Sequence, residues 1–320
     1  MTSSFSATLD NCTADAACRV GDRMGVPSIW LELVEDCNLN CVFCYNPWRP
    51  QHSSLRTQAT ISAAMLRTVI STITAKFGPA QVTLSGGEPL MYPGLSELTG
   101  HLSALGHQIG MTSNGRSATR RRIAELKHRG LSHMSIPVHS AHGRVHNELA
   151  GAPSWSGAIR ALSLGLELGI SVTMSCVLTR RNIAGVGGVA EIAAQLGIKR
   201  FVLNSFHVTG QGLARADLSI TADEFEDAKH MARAALPVST DLVVGAPPDS
   251  KRGTRTAIDR LVVSPYGDIK LCAQSTRGVV NVLSDGMEQL EKLLDGISNG
   301  SGQVYIDRVD NCSCFSPSSP

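Results

Sequence analysis

The stretch Cys37-Asn38-Leu39-Asn40-Cys41-Val42-Phe43-Cys44 directly follows a strand-like run, Ser28–Val34, with the sequence SIWLELV. Its C-x3-C-x2-C spacing brings three thiols onto one tight loop, as an iron–sulfur cluster requires. A cubane of four irons needs four ligands, so this loop leaves one iron open to a group that is not protein. A zinc site usually shows two C-x2-C or C/H pairs, and no second pair follows at the usual distance. A disulfide is disfavoured because these thiols are too close in sequence to close a long loop.

A second motif, Gly86-Gly87-Glu88-Pro89, follows the next strand-like run. Together the two motifs resemble those of the radical S-adenosylmethionine (SAM) enzymes. The resemblance implies that Cys37, Cys41 and Cys44 hold a [4Fe-4S] cluster whose open iron chelates the amino and carboxylate groups of SAM. It also implies that an electron from the cluster cleaves SAM to a 5′-deoxyadenosyl radical, which abstracts hydrogen from a substrate.

Composition indicates the compartment and argues against several partners. The chain has 320 residues, 42% of them hydrophobic, and a formal net charge of +2. This charge is too small to favour nucleic acid, and no apolar run reaches the length of about 18 residues that a membrane helix needs. No secretory signal is evident, and nine cysteines in such a chain indicate metal or reactive thiols in a reducing cytosol. We therefore predict a cytoplasmic protein without a membrane or nucleic-acid partner.

Strand-like and helix-like segments alternate from residue 28 to residue 204, and glycine or proline marks most junctions. Six strands are predicted, each but the last followed by a helix, with connections short enough for right-handed parallel crossovers. The strands are expected over residues 28–34, 81–85, 107–112, 132–138, 170–178 and 200–204. The predicted fold is α/β, a partial (β/α)6 TIM-like barrel, with both motifs at the rim where parallel strands end.

The pattern changes after about residue 215, and the chain is predicted to have three regions. They are a flexible N-terminal arm over residues 1–25, the core barrel over 26–215 and a small α+β extension over 216–320. The arm carries Cys12 and Cys18, which we interpret as free thiols. The extension contains a helix with a capping-box start at Thr221 and a hairpin that turns near Gly267.

The resemblance also assigns SAM contacts around the two motifs. Phe43 matches the position that packs against the adenine, and residues 86–89 match the segment that hydrogen-bonds the ammonium group. Gly86 and Gly87 let a backbone approach a ligand without a Cβ clash. Glu88 and Pro89 are expected to hold the shape of this segment.

Two further strand ends carry polar candidates. Ser113 and Asn114 close the third strand, where the resemblance places contacts to the SAM ribose, and an Asx turn is the alternative. After the fourth strand many family members carry Ser-Leu-Asp-Gly, but this chain has His139 there. His139 is predicted to be a substrate-facing proton donor. A metal site formed by His139, His142 and His146 is an alternative reading.

The C-terminal region resembles the SPASM/twitch appendages, which hold auxiliary iron–sulfur clusters. These appendages begin with a cysteine at the end of a hairpin, as Cys272 does, and Cys312 and Cys314 supply two more. The full cysteine pattern is missing. We expect these three residues to hold a second, auxiliary cluster, and a buried structural role for Cys272 is the alternative. Cys176, in an apolar strand, is predicted to belong to the core.

Basic side chains cluster between residues 116 and 129, at Arg116, Arg120, Arg121, Arg122, Lys127 and Arg129. A solvated helix face is the simplest interpretation. Alternatively, they dock an acidic one-electron donor such as flavodoxin or ferredoxin, or attract a phosphorylated substrate.

These features favour a tailoring enzyme of natural-product or antibiotic biosynthesis that acts on a small polar molecule such as a sugar or nucleotide sugar. A maturase of ribosomally made peptides is the close alternative. Such maturases often carry a leader-binding domain ahead of the cysteine loop, and only 36 residues precede Cys37. A third alternative is a cluster-binding scaffold or sensor without turnover, against which the SAM-contact motifs argue.

Overall fold

A computed structural model of the chain describes residues 27–49, 53, 58–245, 258, 260–275 and 278–300. Its strands are β1 Ser28–Glu32, β2 Gln81–Ser85, β3 Gln108–Thr112, β4 Leu131–Pro137, β5 Ser171–Leu178, β6 Arg200–Ser205, β7 Asp241–Val244, β8 Arg260–Val263, β9 Asp268–Lys270 and β10 Val280–Asn281. Its helices are α1 Ala63–Phe77, α2 Leu95–Ala104, α3 Arg120–His128, α4 Gly143–Ala150, α5 Trp155–Glu167, α6 Val186–Gln195, α7 Ala222–Ala235 and α8 Met287–Ser298. None of these helices is long and apolar enough to span a bilayer.

The described strands form one sheet with the order β10-β9-β8-β1-β2-β3-β4-β5-β6-β7. Strands β1 to β7 are parallel and adjacent in chain order, and helices connect them. Strand β8 pairs in parallel with the other side of β1, and β9 and β10 add an antiparallel edge. This arrangement confirms the predicted α/β, partial (β/α)6 TIM-like barrel. The sheet is wider than the six predicted strands because β7 and β8 extend it on both sides.

The two faces of the sheet differ in polarity, as alternation along a strand requires. On β1, Ile29 and Leu31 are fully buried and belong to the same apolar core as Val69 and Ile70 of α1. Glu32, at the end of β1, is buried although its side chain is ionisable. The helices therefore cover the apolar face, and polar side chains such as Thr83, Ser135, Ser175 and Asn204 alternate with the core residues of their strands.

Helix α7 begins as its sequence predicts. The Thr221 hydroxyl accepts from the Glu224 backbone N–H at 3.1 Å, and the Glu224 carboxylate accepts from the Thr221 N–H at 2.7 Å. This reciprocal pair is a capping box, which satisfies two backbone donors at the helix start. After α7, β7 continues the sheet beside β6, and β8 returns to β1. The division of the chain near residue 215 stays a prediction.

Helix α4 is not predicted by the sequence pattern, because it has only eight residues and its single apolar face is short. It ends at Gly151, whose φ of +70° is a left-handed conformation that favours glycine. A Cβ on Gly151 would lie 2.2 Å from the backbone oxygen of Asn40. The end of α4 is therefore packed directly against the cysteine loop.

Candidate active site

The cysteine loop leaves β1 at the carboxyl end of the sheet and presents three free, partly exposed thiols, Cys37, Cys41 and Cys44. The Cys44 N–H donates to the Cys41 carbonyl at 3.1 Å, which closes a turn between the second and third thiols. The end of α4 supports this loop, because the Asn40 and Val42 N–H groups donate to carbonyls of residues 150 and 149 at 3.1 and 3.0 Å. The loop is therefore anchored by backbone hydrogen bonds that do not depend on its cysteine side chains.

The thiols lie in an environment that penalises their charged form. Burial is the main cause that raises the pKa of each, and it raises the pKa of Cys44 to about 11. Repulsion from Cys44 and Cys37 raises the pKa of Cys41 further. Arg49 opposes the shift at all three positions. Three adjacent, poorly solvated thiolates need a strong positive partner, which a metal centre supplies.

The donor set fits a cluster better than a single ion. No group of three or more His, Cys, Asp or Glu side chains in the described part of the chain is arranged to hold one metal ion. A cluster binds each thiolate through a different iron, so its ligands need not converge on one point. Three thiols on one loop therefore match a [4Fe-4S] cluster with one open iron.

The Gly86–Pro89 segment follows β2 and lies against the beginning of the cysteine loop. The Gly87 N–H donates to the Val34 carbonyl at 2.6 Å, and the Glu88 N–H donates to the Asp36 carbonyl at 2.8 Å. Gly86 has a φ of +118°, and a Cβ on Gly87 would lie 2.1 Å from the Asp36 oxygen. The close approach that these glycines permit in the structure is thus to the chain itself. Their contact with SAM stays a prediction.

Gly87→Ala is expected to destabilise the fold by roughly 3 kcal/mol, because the new methyl group overlaps a backbone atom that cannot move without the loop. The matched control is Gly187→Ala in α6, where a Cβ would have no neighbour within 4 Å. Alanine there favours the helix by about 1 kcal/mol. Urea unfolding of both variants measures the difference. Equal stability of the two variants would contradict the packing argument.

Glu88 ties the loops after β2 and β3 together. Its side chain is 1% exposed and accepts hydrogen bonds from the Leu90 N–H at 3.0 Å, the Ser113 hydroxyl at 2.7 Å and the Asn114 N–H at 2.9 Å. Burial raises the pKa of this carboxyl, and the three donors oppose that shift. Pro89 begins a single 3-10 turn at Pro89–Met91. The expected shape-holding role of Glu88 thus has a defined set of contacts.

Asn114 forms the Asx turn that was the alternative for this strand end, because its Oδ1 accepts from the Arg116 N–H at 2.9 Å. Its Nδ2 donates to Asn38 Oδ1 at 2.8 Å and lies 3.7 Å from the sulfur of Cys37. The Ser113 hydroxyl donates to Glu88 and accepts from the Gly115 N–H at 3.0 Å. Both side chains therefore stand beside the cysteine loop, and their contact with the SAM ribose stays a prediction.

His139 lies at the same rim, with its ring edge-on to Phe43 at a centroid distance of 4.8 Å. Its Nδ1 accepts from the Val177 N–H at 3.3 Å, and burial lowers its pKa to about 3. The ring is therefore neutral near pH 7 and carries its proton on Nε2.

His146 stacks on the His139 ring at a centroid distance of 5.4 Å, and its Nδ1 accepts from the His139 backbone N–H. His142 is exposed, so the described structure gives no metal site here. The proton-donor role of His139 stays a prediction.

A buried ion pair near this rim is absent from the sequence predictions. Lys270 Nζ lies 2.7 Å from a carboxylate oxygen of Glu32, with 2% and 0% of the two side chains exposed. The ammonium group also lies 5.7 Å from the ring centroid of Trp48, within cation–π range. The available signal was one charged residue at the end of β1 and one at the end of β9, and these two strands are brought near each other only in the folded chain, where β8 lies between them.

Cys272 follows β9 and is 5% exposed; it is disulfide-bonded in the structure. Cys312, Cys314, Cys12 and Cys18 lie outside the described residues. Cys176 is a buried, free thiol in β5, as predicted for a core residue. The auxiliary cluster stays a prediction.

Comparison with known proteins gives the family. The family model of the Radical SAM superfamily matches residues 31–191, which include both motifs, Ser113–Asn114 and His139. The chain belongs to the Radical SAM superfamily. It is an enzyme whose cofactors are a [4Fe-4S] cluster and SAM.

Curated relatives agree with this assignment. The chain is 29% identical to a PqqA peptide cyclase of Streptomyces rochei over 83% of this chain and 76% of the relative. It is 28% identical to a PqqA peptide cyclase of Rhodopseudomonas palustris over 68% of this chain and 57% of the relative. It is also 26% identical to a probable GTP 3′,8-cyclase of Saccharolobus solfataricus over 60% of this chain and 61% of the relative.

Solved structures show the same fold at low sequence identity. SuiB of Streptococcus suis, bound to SAM, matches with a TM-score of 0.68 and 15% identity over 87% of this chain and 68% of SuiB. Native anSMEcpe with bound SAM matches with a TM-score of 0.65 and 13% identity over 89% of this chain and 84% of that chain.

Proposed function

We propose that this radical SAM enzyme is a peptide maturase that forms a cross-link within a ribosomally made peptide. The observation that carries the proposal is the extent of the similarity to the S. rochei PqqA peptide cyclase. That match covers 83% of the chain and so runs well beyond the catalytic segment at residues 31–191. The match to the probable GTP 3′,8-cyclase of S. solfataricus covers only 60% of the chain. Substrate recognition is expected to depend on regions beyond the shared core, so the longer match is the better guide.

The chemistry of the site is consistent with this proposal. The cluster and SAM, when bound, supply the radical that removes hydrogen from the substrate. The residues of this chain position the reaction: Cys37, Cys41 and Cys44 would hold the cluster, and Glu88 keeps the loops after β2 and β3 together. Phe43, Gly86, Gly87, Ser113 and Asn114 are proposed to bind SAM. His139, as a neutral ring beside Phe43, is proposed to offer its Nε2–H to the substrate.

A second candidate is a small polar substrate such as a nucleotide or nucleotide sugar, the function that the sequence favours. The specific observation in its support is the similarity to probable GTP 3′,8-cyclases, at 26% identity for the S. solfataricus protein. The polar residues on one face of the sheet could accommodate either substrate class.

The test uses the anaerobically reconstituted full chain with SAM and dithionite. Its substrates are, in separate reactions, the short peptides encoded beside its gene and GTP. We expect 5′-deoxyadenosine formation to rise with one peptide and that peptide to lose two hydrogen atoms by mass spectrometry. A modified GTP with unmodified peptides would support the second candidate and overturn the first.

Three further expectations belong to this proposal. Cys272 is disulfide-bonded in the structure, so it can act as a ligand only after reduction; in the reduced chain Cys272, Cys312 and Cys314 are proposed to hold an auxiliary cluster, which an iron count above about four per chain would support. A cytoplasmic location is proposed because an oxygen-labile cluster needs a reducing compartment. The external electrons are proposed to come from a flavodoxin or ferredoxin.

A further inference from the structure

Two arginines hold consecutive carbonyl groups of the cysteine loop. Arg116 Nη1 donates to the Asn38 carbonyl at 2.6 Å, and Arg49 Nη2 donates to the Leu39 carbonyl at 2.5 Å. Both carbonyls lie between the first and second thiols. Hydrogen bonds from charged donors are about twice as strong as neutral ones. Positive charge is therefore placed directly on the segment that links Cys37 to Cys41.

This segment meets solvent at Arg116. The Arg116 side chain is exposed. The side chain of Asn38 makes two hydrogen bonds to residues near Arg116: its Nδ2 donates to Ser117 Oγ, and its Oδ1 accepts from Asn114 Nδ2, both at 2.8 Å. Asn38 is the residue next to Cys37. The path from the surface at Arg116 to the first thiol therefore crosses one hydrogen bond and one residue, which is a short route for an electron.

A third guanidinium group stands beside this point. Arg160 of α5 is exposed and donates to the Arg116 carbonyl at 3.3 Å. Within the described part of the chain, Arg49, Arg116 and Arg160 form no ion pair, whereas Arg120 pairs with Glu167. Among the described residues, three guanidinium groups without an ion pair thus lie at or beside the cysteine loop, and those of Arg116 and Arg160 are exposed. Within the described residues the one hydrogen bond of Arg160 is to the Arg116 carbonyl, and Arg160 makes no hydrogen bond to the cysteine loop itself.

We propose that Arg116 and Arg160 form the docking surface for the one-electron donor, a small redox protein with acidic groups around its redox centre. Acidic groups of the donor would complement the exposed guanidinium groups of Arg116 and Arg160, which lie where the cysteine loop approaches the surface. One electron passes from the reduced donor to the oxidised cluster, so the donor is oxidised by one electron and the cluster is reduced by one. The inference deepens the proposed function, which needs an external reductant.

The test measures the rate at which a reduced bacterial flavodoxin reduces the cluster of the reconstituted full chain, followed by stopped-flow absorbance. Arg116→Glu and Arg160→Glu are each expected to lower the second-order rate constant on the order of tenfold at low salt, as removal of electrostatic steering does. Their dependence on ionic strength should be weaker than that of wild type, because screening acts on charges that are no longer complementary. Dithionite, which needs no docking surface, should reduce all proteins to the same extent.

The matched control is Arg129→Glu, at the opposite end of α3. Arg116 precedes α3 and Arg129 follows it, and the nine residues of this helix span about 14 Å. Arg129→Glu therefore makes the same charge change at the far end of α3 and should keep the wild-type rate within a factor of about two. An equal loss of the rate constant in Arg129→Glu would show that the effect comes from net charge alone, and it would overturn the proposal. Wild-type rates in both other variants would also overturn it, as would a raised substrate KM with unchanged flavodoxin kinetics.

Two readouts keep these outcomes separable. Arg116→Glu removes a hydrogen bond to the loop, so its iron content is measured, and if iron is lost, Arg160→Glu alone decides the proposal. The peptide assay with dithionite does not use the docking surface. Failure of that assay would count against the proposed function, and the flavodoxin rates would still test the surface.

Discussion

Cys41→Ala is expected to remove the [4Fe-4S] cluster and abolish cleavage of SAM. Only two thiols would remain on the loop, and a cubane held by two protein ligands is not retained. Cys41 is the central thiol of the three, with repulsion from both others acting on its pKa. The iron content should fall by about four per chain relative to wild type, and 5′-deoxyadenosine should fall below detection in the presence of dithionite.

The matched control for this variant is Cys176→Ala. Cys176 is also a free cysteine, but it is buried in β5 away from the loop and packs in the apolar core. Its replacement should leave the iron content and SAM cleavage at wild-type levels, with a small loss of stability from the lost packing. If Cys41→Ala kept its iron, or if Cys176→Ala lost as much, the assignment of the three loop thiols as ligands would be wrong.

Lys270→Met is expected to destabilise the fold by roughly 3–5 kcal/mol, because it leaves the Glu32 carboxylate buried without its partner. The two groups are 2.7 Å apart and almost fully buried. Burial raises the pKa of Glu32, and Lys270 opposes that shift. Because the pKa of Glu32 is raised in the folded state, the variant should be destabilised less at low pH, where this carboxyl is protonated. The stability that protonation of Glu32 contributes should be lost as the pH rises through that pKa.

Urea unfolding at several pH values tests this prediction, with two comparisons. Lys292→Met makes the same substitution in a pair with the same 2.7 Å N–O distance, but the Lys292 and Glu288 side chains are 57% and 76% exposed. It should leave the unfolding midpoint unchanged. The double variant Glu32→Gln, Lys270→Met removes both charges and should recover much of the loss. Equal destabilisation by Lys292→Met and Lys270→Met would contradict the role of burial.

The repeating core of the fold could be predicted because its signals are local. Apolar alternation and glycine or proline at the junctions defined six parallel strands, and the observed β2 has the predicted bounds, Gln81–Ser85. The edges were harder to predict. Pairing of β8 with β1 joins residues more than 200 positions apart, and no periodicity within either strand specifies its partner. Helix α4 was missed because eight residues give too short a pattern.

The site divides in the same way. The spacing of the three cysteines identified them as ligands, and the Gly86–Pro89 motif located the neighbouring loop. The remote partners of the cysteine loop could not be predicted, because they come from another strand end. Asn114 and Arg116, which follow β3, reach the loop only after the rim has formed. The neutral state of His139 likewise depends on its burial, which sequence spacing does not report.

The amino-acid pattern specifies that three thiols lie on one loop, that this loop follows a parallel strand, and that the chemistry is that of the radical SAM family. These are properties of short segments, and residue type and spacing encode them. Only folding specifies which charges lie near the loop: the buried Glu32–Lys270 pair, and the exposed side chains of Arg116 and Arg160. Electrostatic energy depends on distance and burial, and both exist only when remote parts of the chain are brought together.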